Sequence, residues 1–506
     1  MPNPKQEAIK RAVSPLSKGP LLFLAVLILI LLSVIVFLFT HQTFTAIETA
    51  SLWVRNYFGY FYLYLGLGCV LLLLGLALSP LGNIRLGKED DRPEHTLWAW
   101  AAMLYSAGMG AGILLRAVQE PIYMQQNPPF VSDSPTDIVA LEFTFYQWGF
   151  TAWAFYGLFA MVVGHALYVE KKRVQVSATI ADHLPNKVLH KGIDLLTIIT
   201  TVFGLIAAIG LGTTQINGGL NHVFGPDFGL GTTLLLAVFI SFIAFISVWQ
   251  GLNKGIKLIS KLNILVTLLL LSYIFVQSDM VGIMGNFVHA LYAYLQDFIP
   301  MSVAYGRYDP GMAFLTDWTF YYWAFWLAWA PFTGIFIARI SKGRTLRQLL
   351  LGVLIIPSLG TFFWFSVFGT SAFQILEAWD VYQNQFGNVF TSIFIFFENY
   401  PFAGILNLTT IFLLVSFLVT SVDSAVFVLA MFTDRGKKKP SKLHRLIWSA
   451  LILMATVALL LLGNAKPGID VLVAAQKLLI VTSLPFAFLM VVMAFLFLKG
   501  LLGKRR

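Results

Sequence analysis

Seven residues in the third long apolar segment, Ser106 to Gly112, interrupt a stretch that could otherwise cross a bilayer as one helix. They read Ser-Ala-Gly-Met-Gly-Ala-Gly, and the three glycines weaken a helix. Irregular backbone at membrane depth is tolerated where it is buried in protein or lines a cavity. Amides freed at such a break can hold an anionic group, and freed carbonyls can hold a cation such as sodium. We therefore interpret the break as part of a transport site; close helix packing through small residues is the alternative.

Aromatic residues gather in two other apolar segments, the fourth and the eighth. Tryptophan of the membrane interface clusters at the ends of spans, whereas Trp153, Trp326 and Trp329 fall well inside them. An aromatic face attracts a quaternary ammonium or sulfonium group, each contact contributing about 0.5–2 kcal/mol. Packing in the core explains any single ring equally well. The whole set beside a glycine break favours a cage of three or four rings for a methylated onium group. The aromatic residues in the two segments are Trp148, Trp153, Tyr156, Trp318, Trp323, Trp326 and Trp329.

Composition defines the class of protein that positions these residues. Of the 506 residues, 58% are hydrophobic and 11% are charged, and the mean hydropathy is +0.78. Such a chain is an all-α polytopic membrane protein in contact with lipid. A crossing needs about 20 apolar residues, which predicts about 12 spans. Their centres lie near Ile30, Leu72, Ala111, Ala154, Ala208, Ile240, Leu268, Trp329, Ile356, Phe417, Leu451 and Pro485.

Basic residues predict the orientation of these spans. With the N-terminus inside, 29 of the 34 lysines and arginines fall on loops or tails of one side, so both termini are predicted to be cytoplasmic. The net charge of +10 then reflects topology and requires no nucleic-acid partner. We expect a cytoplasmic tail over 1–19, one transmembrane domain over 20–498, and a short basic cytoplasmic tail over 499–506. Within the domain, an amphipathic helix at about 280–305 is expected on the outer surface.

Enzyme chemistry has little support in the sequence. The eight histidines are scattered without metal-binding spacing, and there is no phosphate-binding loop. Cys69 is the single cysteine, which excludes an intrachain disulfide. We therefore predict neither enzymatic activity nor a cofactor. A channel would favour repeated polar rings, which are not found.

Several motifs together resemble the betaine/choline/carnitine transporter family over roughly residues 20 to 498. The resemblance implies 12 transmembrane helices in a bacterial inner membrane, a five-plus-five inverted repeat (helices 3–7 and 8–12), and a homotrimer. The motifs are Ala107 to Gly112, Glu120-Pro121, Trp148 to Tyr156, Trp323 to Phe332, Ala338 to Thr345, and Thr420 to Ser424.

The resemblance also implies a substrate site. The family's aromatic box falls on Trp148, Trp153, Tyr156 and Trp326. Trp329 lies on the inward path, and Phe325 stands where relatives often have Trp. The family's carboxylate-binding stretch falls on the backbone of residues 108 to 112, that is Gly108, Met109, Gly110, Ala111 and Gly112. Choline carriers tend to have Asp at the position of Ala111, so Ala111 favours a zwitterion such as a betaine over free choline.

A sodium site is implied in the same way. Its ligands are the carbonyls of Ser106, Met109 and Phe417 and the hydroxyls of Thr420 and Ser421. Hydroxyls in membrane helices also bond their own backbone, which is the alternative for Thr420 and Ser421. Related sodium-independent exchangers carry an Arg where this chain has Asn263, which favours sodium symport.

A second family sodium site departs from the pattern in this chain. It maps to Thr201, Leu205 and Phe332. Leu205 replaces a hydroxyl residue and offers no side-chain oxygen, so the sequence leaves the sodium stoichiometry open.

Arg116 is the second departure, because relatives usually have a large aromatic residue there. Charge within a membrane span indicates function by default. One interpretation is an ion pair with Glu120, four residues further along a helix. The other is that Arg116 reads an anionic group of the substrate, farther from the onium than in glycine betaine.

The sequence therefore predicts sodium-coupled import of a zwitterionic ammonium or sulfonium compound by alternating access. The alternatives are a sodium-independent exchanger, a sodium-coupled amino-acid carrier, or a membrane sensor that does not transport.

Overall fold

A computed structural model describes residues 20–108, 110–250, 253–434, 436–437 and 440–503; the side chains of 106–108, 248, 250 and 253–257 are not included. Predictions for residues 1–19, Met109 and residues 504–506 lie outside the described residues. The described chain is helical, with a single isolated backbone bridge between Arg85 and Thr345.

The α-helices follow one another with short connections. Two 3₁₀ turns, Pro80–Asn83 and Gly306–Tyr308, and a π-helical turn, Thr316–Phe320, lie between them. The α-helices are α1 Pro20–Leu38, α2 Thr40–Leu78, α3 Leu97–Gly108, α4 Ala111–Arg116, α5 Gln119–Gln126, α6 Thr136–Trp148, α7 Phe150–Tyr168, α8 Val176–Ile180, α9 Lys187–Phe224, α10 Leu230–Gln250, α11 Asn253–Gln277, α12 Met280–Val303, α13 Met312–Leu315, α14 Tyr321–Ile340, α15 Leu346–Ala378, α16 Ser392–Phe397, α17 Ala403–Thr433, α18 Lys442–Leu462 and α19 Val471–Gly503.

Eleven candidate spans in the described residues are long and apolar enough to cross a membrane. Each contains the centre of one predicted span. The exception is the third predicted span, centred at Ala111, which is divided among α3, α4 and α5. None of these three pieces is long enough to cross alone. The all-α polytopic class is therefore confirmed, and the third span differs from the others because its helix is interrupted.

Burial separates central helices from peripheral ones. The most apolar window is 89% buried in the continuous α6 and α7 span and 78% buried in α9. In α1 the corresponding figure is 28%. Exposed apolar side chains such as Phe23 and Leu31 suit contact with lipid. The centre of the bundle is therefore built from α6, α7, α9 and α14, and α14 packs along α7.

A kink at Gly149 separates α6 from α7. A Cβ atom at this position would lie 2.5 Å from the carbonyl oxygen of Phe145 and 2.6 Å from the ring of Phe362. A side chain does not fit there without displacing its neighbours. The kink fixes the direction of α6 at its last residue, Trp148.

Helix α12 supports this kink. The hydroxyl of Tyr294 accepts a 3.0 Å hydrogen bond from the backbone N–H of Phe150, and Tyr294 and Phe298 are buried. Leu295, next to Tyr294 in the same helix, is 55% exposed. The helix predicted at about 280–305 is thus present; its place on the outer surface of a membrane remains a prediction.

The loop after α14 ties two distant parts of the chain together. Backbone hydrogen bonds join Leu86 to Arg344 and Gly343, at 2.9 and 2.8 Å. Gly343 has φ +81°, and a Cβ atom there would lie 2.3 Å from the carbonyl oxygen of Arg92. The indole N–H of Trp100, in α3, donates to the Ser341 hydroxyl at 3.0 Å. Helix α3 is therefore anchored at one end to this loop and ends at the glycine break at the other.

Candidate functional site

The backbone break lies where the glycines predict it. Helix α3 ends at Gly108, and Gly110 is extended (φ −139°, ψ −171°) before α4 begins at Ala111. Residues 117 and 118 form a turn before α5 begins at Gln119. Helix α4 packs against α9 and α17, so the interrupted backbone is enclosed by other helices. Helix ends in such a place leave amides and carbonyls that can bind ions.

The four residues of the predicted aromatic box lie in one cluster. The centroids of Trp148 and Trp326 are 5.1 Å apart, and those of Tyr156 and Trp326 are 6.3 Å apart. Trp153 and Tyr156 are 5.5 Å apart. All four side chains are buried. The structure thus brings together rings from α6, α7 and α14.

The break and the aromatic cluster are adjacent. A Cβ atom added to Gly112 would lie 3.6 Å from the Cη2 atom of Trp148. The indole N–H of Trp326 donates to the carbonyl oxygen of Gln147 at 3.0 Å, which fixes α14 against the end of α6. A ligand that touches the rings of Trp148 and Trp326 therefore lies near the backbone of Gly112.

Phe325 and Trp329 extend the cluster along α14. Phe325 lies edge-on to Trp326, with centroids 5.1 Å apart, and its centroid is 6.2 Å from that of Trp329. The indole N–H of Trp329 donates to the carbonyl oxygen of Gly204 in α9 at 3.1 Å. Both side chains are half-buried. Trp329 is thus a neighbour of the cluster through Phe325, consistent with a place on a path toward it.

Two residues that the sequence analysis did not assign to the site contact its rings. Tyr322 has its ring centroid 5.6 Å from that of Trp148 and 5.8 Å from that of Trp326. Phe365 in α15 has its centroid 5.2 Å from that of Trp148. The position of Tyr322 four residues before Trp326 could have indicated it, because residues i and i+4 share a helix face. Nothing in the sequence around Phe365 indicates its contact.

Glu120, the first residue of the Glu120-Pro121 motif, is fully buried against the same rings. Its carboxyl oxygens lie 3.1 and 3.2 Å from the indole nitrogen of Trp148, and one of them accepts a hydrogen bond from the hydroxyl of Tyr322. A glutamate inside an apolar segment is the signal that could have found it, since buried carboxylates need partners.

Arg116 does not form the ion pair with Glu120 that the sequence suggested. No nitrogen of Arg116 lies within 4.0 Å of a carboxylate oxygen in the described residues. Its guanidinium donates to the side-chain oxygen of Gln119 at 2.6 Å and lies over the ring of Trp318. The i, i+4 expectation fails because α4 ends at Arg116 and a turn precedes α5. The two residues are therefore not on one continuous helix face.

The predicted sodium ligands divide between the break and α17. Phe417, Thr420 and Ser421 lie in α17, which packs against α4. The Thr420 hydroxyl donates to the carbonyl oxygens of Ser416 and Phe417, at 3.0 Å each, so its lone pairs remain free to accept a cation. Ser106 lies in α3 near its end, and Met109 lies outside the described residues. The short helix that follows the break, α4, is thus a neighbour of the helix that carries three of the predicted ligands, α17.

Two further residues lie beside this part of α17. Asn263 accepts a 2.6 Å hydrogen bond from the Ser416 hydroxyl through its side-chain oxygen. Asp423 accepts a 3.2 Å bond from Ser247. Asn263 therefore bonds to the residue that precedes the proposed ligand Phe417. Its alignment to the exchanger arginine stays a prediction.

The residues of the second family sodium site lie in α9 and α14. The Thr201 hydroxyl donates to the carbonyl oxygen of Thr197 at 2.7 Å, and Leu205 is buried. Phe332 packs edge-on against Trp329, with centroids 5.4 Å apart. Leucine offers no oxygen here, and the hydroxyl of Thr201 already donates to its own helix.

A polytopic bundle with an interrupted span beside a buried aromatic cluster has the architecture of a membrane transporter. Comparison with known proteins supports the same class of protein. The profile described as "BCCT, betaine/carnitine/choline family transporter" matches residues 20–506. The chain belongs to this bacterial family of multi-pass transporters, and the prediction that it is not an enzyme is confirmed.

Its similarity to characterised relatives extends along most of the chain. It is 36% identical over 468 residues to the glycine betaine transporter OpuD of Bacillus subtilis, covering 91% of this chain and 90% of the relative. It is 34% identical to a glycine betaine/proline/choline/ectoine transporter of Vibrio parahaemolyticus, covering 85% of this chain and 78% of that one. An ectoine/hydroxyectoine transporter of Virgibacillus pantothenticus is 32% identical, covering 86% of this chain and 87% of the relative.

Proposed function

We propose that this transporter imports a zwitterionic quaternary ammonium or sulfonium compound of the betaine type, coupled to sodium and by alternating access. The observation that carries the proposal is the cluster of Trp148, Trp153, Tyr156 and Trp326 beside the glycine break. Aromatic faces attract an onium without needing hydrogen bonds, and the nearby break offers backbone amides to a carboxylate. The names of the relatives, which include glycine betaine transporters, support the same substrate class.

Charge at the break favours a zwitterion over a simple cation. Ala111 adds no negative charge there, so the backbone amides of the break stay available to an anionic group of the substrate. Arg116 is 4% exposed and has a neutral hydrogen-bond partner, Gln119. A buried guanidinium is stabilised by an anion in contact with it. We propose that Arg116 interacts with the carboxylate or sulfonate of the bound substrate, one turn beyond Gly112.

Sodium coupling is supported by oxygen chemistry on α17. Carbonyl and hydroxyl oxygens of Phe417, Thr420 and Ser421, together with carbonyls of Ser106 and Met109, form the kind of hard ligand set that an alkali cation needs. The neutral Asn263 beside Ser416 leaves no fixed positive charge to replace the ion. We propose one sodium site here; the Leu205 site is not proposed as a second.

The larger arrangement is also proposed from the family. It comprises a homotrimer in the bacterial inner membrane, both termini in the cytoplasm, and a five-plus-five inverted repeat of helices 3–7 and 8–12 around the site. The distribution of basic residues supports this orientation.

Flux of labelled compounds into sealed vesicles that contain the purified protein tests the proposal. Entry of glycine betaine or a longer betaine, competed by other onium zwitterions, is expected. Entry of a simple amino acid that betaines do not inhibit would instead favour an amino-acid carrier. Binding without entry would favour a membrane sensor, and entry only against preloaded substrate would favour a sodium-independent exchanger.

A further inference from the structure

A buried carboxyl group links the interrupted third span to the two helices that carry the aromatic box. Glu120 lies at the start of α5, Trp148 at the end of α6, and Tyr322 at the start of α14. Glu120 is 0% exposed, and its two hydrogen-bond donors come from rings that both contact Trp326. Three elements that are remote in sequence therefore meet at one side chain.

The donors define the role of this carboxyl group. An indole N–H can only donate, so the Glu120 oxygens 3.1 and 3.2 Å from the Trp148 nitrogen are acceptors. The hydroxyl of Tyr322 donates to one of the same oxygens. Ionised carboxylates are acceptors only and form the stronger, charge-assisted hydrogen bonds. Both donors therefore suit the ionised form of Glu120.

We infer that Glu120 is a positioning residue of the onium site: its carboxylate holds the rings of Trp148 and Tyr322 in place and adds negative charge behind them. The inference rests on the proposed function, because it names the group that prepares the same box. A ring that donates its N–H to a carboxylate becomes more electron-rich, since hydrogen-bonded groups polarise one another. Such a ring attracts a cation more strongly at its face. Glu120 then acts on the onium through the rings.

Arg116 adds a positive charge to the site. Its guanidinium lies over Trp318, whose ring stacks on that of Tyr322 with centroids 6.4 Å apart. Arg116 is the last residue of α4 and Glu120 lies at the start of α5, so the two opposite charges border the same pair of stacked rings, Trp318 and Tyr322. Arg116 therefore offers a positive charge to the anionic group of a zwitterion next to a ring that Glu120 holds in place.

The test compares two substitutions of Glu120 with substitutions of two neighbouring tyrosines, one that bonds to Glu120 and one that does not. Glu120→Gln keeps an oxygen acceptor and removes the charge, whereas Glu120→Leu removes both. Tyr322→Phe removes one donor. Tyr321→Phe is the matched control, because Tyr321 is a neighbouring buried tyrosine whose hydroxyl is not bonded to Glu120.

Uptake kinetics provide the first measurement, with whichever betaine the unsubstituted protein transports. We expect Glu120→Leu to raise KM about tenfold and Glu120→Gln or Tyr322→Phe to raise it about threefold, as for the loss of buried polar contacts. Tyr321→Phe should leave KM unchanged. Adding Tyr322→Phe to Glu120→Leu should raise KM little further, because the two residues act through one contact. Equal KM values for Glu120→Leu and the unsubstituted protein would overturn the inference.

The indole ¹⁵N–¹H resonance of Trp148, assigned by Trp148→Phe, provides the second measurement and needs no transport. It should move strongly in Glu120→Leu and less in Glu120→Gln. If the unsubstituted protein transports no betaine, the proposed function fails while this resonance still decides the role of Glu120. An unmoved resonance in Glu120→Leu would overturn that role. If Glu120→Leu does not fold, uptake and the Trp148 resonance are measured in Glu120→Gln and Tyr322→Phe instead. An unchanged KM and an unmoved resonance in these two variants would overturn the role of Glu120.

Discussion

The guanidinium carbon of Arg116 lies 4.8 Å from the centroid of the Trp318 ring. This stacking, together with the hydrogen bond to Gln119, holds a buried positive charge one helical turn beyond the glycine break. Among the described residues, the guanidinium has one hydrogen-bond acceptor, the neutral Gln119, and a guanidinium carries five N–H donors that can bind an anion. Arg116 is therefore suited to bind a carboxylate or sulfonate that extends beyond Gly112.

Replacement of Arg116 should change which substrates are preferred. Arg116→Phe is expected to lower the uptake of betaines with a distant anionic group about tenfold relative to glycine betaine, because a hydrogen bond to a charged group is lost. Arg116→Lys keeps the charge and should retain part of the preference. The measurement is competition across a series of betaines of increasing chain length. Unchanged relative uptake in Arg116→Phe would show that Arg116 does not contact the substrate.

Two glycines of the site should differ sharply in their tolerance of a side chain. A Cβ atom at Gly110 meets no heavy atom of the described residues within 4 Å, whereas one at Gly149 would meet the Phe145 carbonyl oxygen and Phe362. Gly149→Ala should therefore lower the stability of the folded protein by about 1–3 kcal/mol, as in other overpacked cores. Gly110→Ala should leave it nearly unchanged. Thermal unfolding in detergent compares the two, and equal midpoints would contradict this account of the kink.

Sodium dependence should respond to a hydroxyl on α17. Thr420→Val preserves shape but removes the proposed ligand, and we expect the sodium concentration for half-maximal uptake to rise about tenfold, as for the loss of one polar contact to a charge. Thr410→Val is the matched control, since Thr410 is buried in the same helix at a distance from the proposed ligands. A similar rise in both variants, or in neither, would place sodium elsewhere.

A loop outside the spans predicts a pH dependence of stability. Burial acts to raise the pKa of Asp434, but hydrogen bonds from Lys437 (2.8 Å) and from the Ser441 N–H (3.0 Å) outweigh it and hold the pKa below 3.8. The resulting stability is present above pH 3.8 and is lost as the pH falls through the lowered pKa.

Asp434→Asn should therefore unfold at a lower temperature than the unsubstituted protein at pH 7, and the difference should shrink in acid. Thermal unfolding in an uncharged detergent, compared at pH 7 and at a pH below 3.8, checks this. A difference that is the same at both values would show that ionisation of Asp434 contributes nothing.

Hydropathy and glycine content predict much of this fold because the bilayer constrains both. Backbone groups must be bonded within a span, so apolar length predicts each crossing and clustered glycines predict the interruption at Gly110. An aromatic cage could be predicted because tryptophans such as Trp326 lie far from span ends, where interfacial anchoring does not explain them. Its four members were implied by the family resemblance.

The contacts of charged residues could not be predicted in the same way. Periodicity assumes a continuous helix, and the turn at 117 and 118 separates Arg116 from Glu120. The π-helical turn before α14 likewise contains Trp318, and Thr316–Phe320 has no proline or glycine that would signal it. The link from Glu120 to Trp148 and Tyr322 depends on how three helices pack, which spacing along one helix does not contain.

Uptake of a labelled betaine into proteoliposomes, with and without an inward sodium gradient, tests the central claim most directly. The account predicts accumulation above the equilibrium level when sodium is directed inward, no accumulation in potassium alone, and a need for about tenfold more sodium in Thr420→Val but not in Thr410→Val. Accumulation that is independent of sodium, or exchange against preloaded betaine alone, would contradict sodium-coupled import through this site.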